Sequence, residues 1–215
     1  CVMSEGKTVR LNLPLADADV LALRAGDAVT LSGVLVTGRD AAHKWLAESF
    51  IRGSARAGTE DMSVLEEIKP ILAGGAIYHC GPVVAKLEEG GYRVVAAGPT
   101  TSIREEPYQA EVMRHFGVKA VIGKGGMGSG TLLACQQVPA VYLHAVGGAA
   151  ALIAGCIKEV LGVYKLEFGV PEAMWLLRVQ DLPLVVSMDA HGNSLHQKIL
   201  DASKQVLTRK FTRQG

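Results

Sequence analysis

The sequence is poor in cysteine, in aromatic residues and in excess charge of either sign. Its four cysteines, Cys1, Cys80, Cys135 and Cys156, form no Cys-x-x-Cys or Cys–His pattern, which argues against a disulfide framework or a zinc site and favours a reducing compartment. The net charge of +1 gives no overall field that would attract nucleic acid or an anionic membrane. Aromatic residues make up 5% of the chain, too few for a surface that stacks bases.

Long apolar runs and targeting patterns are missing as well. No uninterrupted apolar stretch is long enough to span a bilayer, and no basic segment followed by an apolar run opens the sequence. We therefore expect a cytoplasmic protein. The 215 residues are 49% apolar, which is enough for a sizeable core, and no linker or internal repeat divides them. We expect one domain over residues 1–215.

Apolar β-type runs alternate with helical patterns along most of the chain. Between residues 92 and 152 strand and helix patterns take turns, which predicts a partly parallel sheet covered by helices. Gly90-Gly91 separates two further apolar runs and predicts a hairpin. Nearer the C-terminus, Trp175–Val179 and Leu184–Met188 are predicted as two separate strands, and residues 53–61 as a mobile loop. The expected fold class is α/β with a mixed sheet.

One stretch combines several features of an anion site. An apolar run ends at Ala97, Gly98-Pro99 interrupts it, and Thr100-Thr101-Ser102 precedes a helical pattern that begins near Arg104. Backbone N–H groups at a helix start, three hydroxyls and a guanidinium would suit a negatively charged ligand. A plain helix cap with an exposed arginine explains the same residues on spacing alone.

Three turns are expected at the carboxyl ends of strands, where ligands bind in open α/β sheets. They are Gly38-Arg39, Pro99 to Arg104, and Gly123-Lys124-Gly125-Gly126. Together they offer two guanidiniums, one ammonium, hydroxyls and glycine N–H groups, which fits a small dicarboxylate or phosphate. The glycine-rich loop lacks a closing Gly-Lys-Ser/Thr, so a nucleoside triphosphate site is not expected. Ordinary turn geometry and a solvated lysine remain the alternative.

Other polar residues carry weaker signals. Three histidines, His79, His144 and His191, follow apolar runs, and His191 in the turn Asp189–Asn193 could be a ligand or a base. A single histidine in a turn is more often a hydrogen-bonded structural residue. Glu172 suits the first turn of a helix. No serine stands in a Gly-x-Ser-x-Gly elbow, which argues against a serine triad.

Several motifs together resemble one family. They are Thr37-Gly38-Arg39-Asp40-Ala41-Ala42-His43-Lys44, Tyr78-His79-Cys80-Gly81-Pro82, Ala97-Gly98-Pro99-Thr100-Thr101-Ser102 with Arg104, Ile122-Gly123-Lys124-Gly125-Gly126-Met127, Pro171-Glu172-Ala173-Met174-Trp175 and Ser187-Met188-Asp189-Ala190-His191-Gly192-Asn193. In this order they are similar to the β component of the class I, iron–sulfur-dependent fumarase and L(+)-tartrate dehydratase family. Each motif alone is weak, but the joint pattern spans nearly the whole chain.

The resemblance implies a swivelling β/β/α domain that closes over an active site built mainly by an α component. That α subunit would carry a four-iron, four-sulfur cluster, one iron of which binds the substrate, and this chain alone would bind no metal. By position, the residues that hold the substrate would be Arg39, Arg104, Lys124 and Thr101, with Asp40 and His43 supporting them. Thr100 is the family's candidate base for the carbon-bound proton.

The expected function is that of a class I fumarate hydratase β subunit, in a higher α/β oligomer that interconverts fumarate and (S)-malate. The alternatives are an L(+)-tartrate dehydratase β subunit and a stand-alone anion-binding protein without catalysis. A threonine hydroxyl is a poor base unless nearby cations favour its ionised form, so Thr100 could equally orient the substrate. Two positions depart from the family's usual residues: Glu105 stands where relatives have methionine, and Gly128-Ser129-Gly130-Thr131 where they have Gly-Pro.

Overall fold

The computed structural model describes residues 8–212, so Cys1 lies outside the described residues. Its strands are β1 Val9–Asn12, β2 Ala28–Thr37, β3 Ala76–Tyr78, β4 Val83–Lys86, β5 Tyr92–Ala96, β6 Ala120–Gly123, β7 Val141–His144, β8 Ile157–Tyr164 and β9 Met174–Met188. Its α-helices are α1 Asp17–Leu21, α2 Asp40–Leu46, α3 Thr59–Leu72, α4 Glu106–Phe116, α5 Ser129–Gln137, α6 Ala150–Cys156 and α7 Leu195–Thr212. Short turns of other helix types cover Ala47–Ile51, Ser102–Glu105 and Leu166–Phe168.

Five strands of the main sheet close into a ring. β2, β3, β6 and β7 pair in parallel, and β9 runs antiparallel to both β7 and β2, which joins the two ends. β1 adds to β2 in parallel and β8 adds to β9 in antiparallel orientation. The mixed sheet and its covering helices confirm the expected α/β class. The parallel pairs form because helices connect their strands.

The two faces of the sheet bury separate cores. Alternate residues of each strand point to opposite faces, so neighbours such as Ile77 and Tyr78 belong to different clusters. One cluster packs the sheet against α2, α3, α4 and α5, and includes Val36, Ile77, Val121, Tyr142, Ile68, Val112 and Phe116. The other lies on the opposite face with α1, α6 and the β4–β5 hairpin, and includes Leu35, Tyr78, Ile122, Leu143, Leu177, Val94 and Ile153.

The predicted hairpin at Gly90-Gly91 is confirmed, and β4 and β5 form a two-stranded sheet of their own. β5 therefore does not belong to the main sheet, whereas the alternation of patterns from residue 92 onward predicts a parallel sheet that starts there. The short loop at Gly90-Gly91 instead pairs β5 with β4 in antiparallel orientation. The parallel crossover in this region begins only with α4 and β6.

Two further expectations need correction. The two strands predicted at Trp175–Val179 and Leu184–Met188 are one strand, β9, in which a bulge at residues 180–181 lies opposite Ser32 and Pro183 pairs in register with Thr30. The loop predicted at residues 53–61 covers residues 53–58 only, since α3 begins at Thr59, where the Asp61 carboxylate accepts the Gly58 N–H (3.1 Å) and caps the helix. Within residues 8–212 no helix is long and apolar enough to cross a membrane.

Candidate active site

The segment Gly98–Ser102 extends the main sheet at the carboxyl ends of β3 and β6. The Thr100 N–H donates to the His79 carbonyl (2.7 Å), and the Lys124 N–H donates to the Thr100 carbonyl (3.3 Å). The Ser102 N–H in turn donates to the Lys124 carbonyl (3.1 Å). The turn therefore does not simply follow its own strand, as the sequence suggested, but is inserted between the ends of two others.

Arg104 links the hydroxyl of this segment to the start of α2. Its Nη2 donates to Thr100 Oγ1 (3.2 Å) and lies 3.5 Å from Asp40 Oδ2. The side chains of Arg104 and Asp40 are 46% and 47% exposed, so the ion pair itself stabilises the fold by at most about 1 kcal/mol. The guanidinium keeps further N–H donors available to a ligand.

Lys124 follows β6 directly and is half-buried. Its backbone pairs with Thr101, whose side chain is exposed. Within the described part of the chain the Lys124 ammonium has no ion-pair partner. An ammonium without a counter-ion next to the Thr100 segment is suited to an anionic ligand.

Arg39 stands at the N-terminal cap of α2 and is held by the turn before β9. Its Nη2 lies 3.1 Å from Glu172 Oε1, and its Nη1 donates to the Pro171 carbonyl (3.3 Å). Glu172 also accepts the Ala41 N–H (3.1 Å), which caps α2. The first-turn role expected for Glu172 was therefore assigned to the wrong helix. A Cβ at Gly81 would lie 2.7 Å from Arg39 Nη1, so a side chain there would displace the guanidinium.

A buried chain of hydrogen bonds lies beneath these groups. Gln109 of α4 has its side-chain Oε1 3.0 Å from His43 Nε2 and 2.8 Å from His79 Nε2, while its Nε2 is buried without a partner among the described residues. His79 Nδ1 lies 2.8 Å from Ser102 Oγ, which also accepts the Tyr142 hydroxyl (2.8 Å). The network thus joins α2, β3, α4, β7 and the Thr100 segment. The sequence pointed to His43, His79 and Ser102 as candidate residues, but gave no indication of Gln109 or Tyr142.

The proton positions in this chain follow from burial. Desolvation lowers the pKa of His43, and lowers that of His79 well below its usual value, so both rings are neutral. His43 Nδ1 donates to the Arg39 carbonyl (2.9 Å), which leaves its Nε2 as an acceptor. Only an amide NH2 can donate to both Nε2 atoms. Because the oxygen and nitrogen ends of an amide are nearly isosteric, we assign the Gln109 nitrogen, in place of Oε1, to the position between the rings. His79 Nδ1 then donates to Ser102.

Gly123 allows this chain to close. A Cβ on Gly123 would lie 1.9 Å from Ser102 Oγ and 3.0 Å from the Tyr142 hydroxyl. Since real Cβ atoms do not approach so closely, the position demands glycine for space and not for backbone conformation. This gives one glycine of the Gly123–Gly130 loop a specific role.

Glu106 fixes the other end of the glycine-rich loop. Its carboxylate accepts the Gly128 N–H (2.8 Å), the Thr131 N–H (3.1 Å) and the Thr131 hydroxyl (2.7 Å). A carboxylate at the N-terminus of α5 is favourable because the free N–H groups there carry partial positive charge. The loop is therefore held by a residue that sequence analysis treated only as the start of α4.

The other two histidines flagged by sequence lie elsewhere. His191 contacts the end of α1, where its Nε2 lies 3.0 Å from the Leu21 carbonyl oxygen and also meets the Arg24 guanidinium. His144 faces His196, with ring centroids 5.7 Å apart, and burial lowers its pKa. Neither shares a hydrogen bond with the Thr100 segment among the described contacts, so His191 is a structural residue here.

The described residues do not fit an iron–sulfur cluster. Residues 8–212 hold no group of three or more His, Cys, Asp or Glu side chains arranged to bind a metal. Burial raises the pKa values of the Cys80 and Cys135 thiols to about 12, whereas cluster ligands are thiolates.

The comparisons with known proteins decide the family. A family model described as "Fumarase C-terminus" matches residues 2–199. This chain belongs to the fumarase C-terminal family. The resemblance drawn from the motifs is thereby confirmed.

Two relatives differ in how much of their length the match covers. The chain is 48% identical over 207 residues to "Putative fumarate hydratase class I" of Geobacillus stearothermophilus, which covers 96% of this chain and 37% of that protein. It is 38% identical over 186 residues to L(+)-tartrate dehydratase subunit beta of Escherichia coli K12, which covers 86% of this chain and 85% of that subunit. The chain spans little more than a third of the first relative and most of the second.

Proposed function

We propose that this chain is the β component of a class I fumarate hydratase, which interconverts fumarate and (S)-malate together with an α subunit. The observation that carries the proposal is the set of cations around one hydroxyl: Arg104 bonded to Thr100, Lys124 without a counter-ion, and Arg39 at the neighbouring strand end. A dicarboxylate complements such a set by charge and by hydrogen bonds. We further propose that the chain acts as one domain.

The cations would act mainly on the charge that develops during reaction. Removing a proton from the carbon next to a carboxylate gives an enolate-like species with an extra negative charge. Fixed cations stabilise that species more than they stabilise the substrate, which is what accelerates the step. We propose that Arg104 and Lys124 carry this effect because neither is neutralised by a buried carboxylate. Arg39, which is already paired with Glu172, would contribute mainly to binding and alignment.

Two roles for Thr100 are compatible with its contacts. As a base it would need its ionised form to be favoured, and the Arg104 guanidinium 3.2 Å from Oγ1 supplies a cation for that purpose. As an orienter, Thr100 would donate its hydroxyl proton to a substrate oxygen. That proton is available because Arg104 donates to Oγ1 and does not accept from it. Thr101, exposed beside it, would assist binding, and Asp40 and His43 would fix Arg104 and the Arg39 backbone.

We propose that the four-iron, four-sulfur cluster of this iron–sulfur family is held by the α subunit. The support is that the described residues of this chain offer no thiolate set. The name "subunit beta" of the Escherichia coli relative supports a partner subunit. When bound, the cluster supplies a Lewis acid to the substrate, while this chain supplies cations and the threonine hydroxyl.

Tartrate is the second candidate substrate, because a tartrate dehydratase β subunit matches this chain over most of its length. The test is to express the chain with the α subunit encoded beside it and to measure kcat/KM for malate, fumarate and L(+)-tartrate. Preference for malate and fumarate supports the main proposal, and preference for tartrate replaces it. A complex inactive on all three, with an isolated chain that binds fumarate in calorimetry, would support an anion-binding protein without catalysis.

A further inference from the structure

Glu105 is a buried carboxyl group without a role in the chemistry above. It ends the short helical turn Ser102–Glu105 and directly follows Arg104. The residue is 0% exposed, and among the described residues neither carboxylate oxygen has a hydrogen-bond donor. An ionised carboxylate in that position would be costly, since a buried charge needs a partner.

The nearest group to Glu105 is a second carboxyl. The side chain of Asp40, at the start of α2, lies within hydrogen-bonding reach of Glu105. Asp40 Oδ2 faces Arg104 at 3.5 Å, whereas its Oδ1 is buried and lacks a donor within the described part of the chain. A buried carboxyl that faces the buried oxygen of a second, partly exposed carboxyl is satisfied only if one of the two carries a proton that it donates to the other.

The charged groups around Glu105 fix which one is protonated. Burial, followed by the negative charge of Asp40, raises the pKa of Glu105 to about 8, and Arg104 opposes the shift only weakly. Tyr142 on β7 faces the same carboxyl, and its pKa is raised, mainly by burial and in small part by Glu105. Asp40 is the partner whose other oxygen faces the Arg104 guanidinium. Glu105 therefore holds the proton below about pH 8.

We propose that Glu105 is a positioning residue whose O–H donates to Asp40 Oδ1, so that Asp40 Oδ2 holds the Arg104 guanidinium against Thr100. Loss of the proton would place two negative charges side by side, turn Asp40 away and release Arg104. The proton and the position of Arg104 are properties of the chain itself. Only the consequence for turnover rests on the proposed function.

The first test follows Arg104 directly in the full-length chain. The guanidinium nitrogens of Arg104 are observed by nuclear magnetic resonance with labelled arginine, between pH 6 and pH 10. We expect the Arg104 signal of the native sequence to move with a midpoint near pH 8, and that of Glu105→Gln to stay in place, because a glutamine amide donates to Asp40 at every pH. Equal midpoints in both proteins, or no movement in the native one, would overturn the proposal.

A second measurement keeps the proposal testable if Glu105→Gln fails to fold. In the native sequence a Glu105 that is protonated when folded and ionised when unfolded contributes the release of about one proton on unfolding at pH 6.5. His43 and His79 take up part of a proton each at this pH, so the comparison is between the parent and a variant that share this uptake. Calorimetric unfolding in buffers of different ionisation enthalpy counts the protons. Asp40→Asn removes a negative charge that helps to raise the pKa of Glu105, so Glu105 should be less completely protonated in the folded variant. The variant should therefore release fewer protons on unfolding at pH 6.5 than the parent. No difference between the two would contradict the pairing.

The reconstituted α–β complex adds the catalytic readout. Its kcat/KM should fall about fivefold between pH 8 and pH 9, following the protonated fraction of Glu105, and Glu105→Gln should lack this alkaline decrease. If kcat/KM decreases in the same way in both complexes, Glu105 does not position Arg104 for turnover, even if the proton count confirms that Glu105 is protonated in the folded chain. A complex without hydratase activity would refute the proposed function, and the resonance titration would still decide the inference.

Discussion

Replacing Gln109 with leucine removes the amide that we assign as the donor to both buried imidazoles. Leucine is close to glutamine in volume, so the change leaves little cavity and isolates the loss of hydrogen bonds. His43 and His79 would each keep a buried Nε2 acceptor without a donor. An unsatisfied buried group costs about 1–3 kcal/mol, which gives ~2–6 kcal/mol for the pair. The added apolar surface recovers about 1 kcal/mol. We expect a net loss of ~1–5 kcal/mol.

The assay is urea unfolding of the full-length chain at pH 8, where both histidines are neutral folded and unfolded. The difference in unfolding free energy between the native sequence and Gln109→Leu gives the cost. Gln137→Leu is the matched control, because Gln137 is exposed on α5 and only accepts from Arg114; it should change stability by less than about 0.5 kcal/mol.

A second variant tests the orientation of the amide. Gln109→Glu has nearly the same shape but offers only acceptors when ionised, so it could bond both rings only if they were protonated. It should therefore be more destabilised at pH 8 than at pH 6, relative to the native sequence.

If Gln109→Leu unfolds within about 0.5 kcal/mol of the native protein, the neutral-histidine network does not stabilise the fold and the proton assignment is wrong.

Two further predictions concern acid stability and Thr100. Burial lowers the folded-state pKa values of His43 and His79, so only the unfolded chain takes up protons at these residues as the pH falls. The stability that they confer is complete above about pH 6.5 and should decrease below it. The unfolding free energy is measured in Glu105→Gln, because Glu105 makes the opposite contribution. Thr100→Val in the reconstituted complex should lower kcat by ~10²–10⁴-fold if Thr100 is the base, whereas exchange of the malate C3 proton with deuterium at the parent rate would exclude that role.

Local signals in the sequence located most of the elements. The helical pattern predicted to begin near Arg104 corresponds to α4, Glu106–Phe116, because Pro107 favours the first turn and Gly117 ends the helix in the left-handed conformation. The strand ends that carry Arg39 and Lys124 were likewise marked by Gly38 and Gly123. These features depend on residues next to one another in the chain.

The parts that could not be predicted depend on residues far apart in the chain. β9 closes the sheet by pairing with β2 across more than a hundred residues, and no local pattern encodes such a partner. Gln109 looks like an ordinary exposed helix residue, yet its partners lie 66 and 30 positions away. Glu105 gives no sign in the sequence that it is buried against Asp40. The motif resemblance indicated which residues share a site, but not which polar groups support it.

The central claim is that Arg104 and Lys124 stabilise a dicarboxylate at the carboxyl ends of β2, β3 and β6. The most direct measurement is kcat/KM for fumarate in reconstituted complexes carrying Arg104→Ala or Lys124→Ala, with Arg93→Ala, an exposed arginine of β5, as the control. We expect each site variant to lose about 2–4 kcal/mol of transition-state stabilisation, roughly 30- to 1,000-fold in kcat/KM, and the control to match the parent. Site variants within about twofold of the parent would contradict the account.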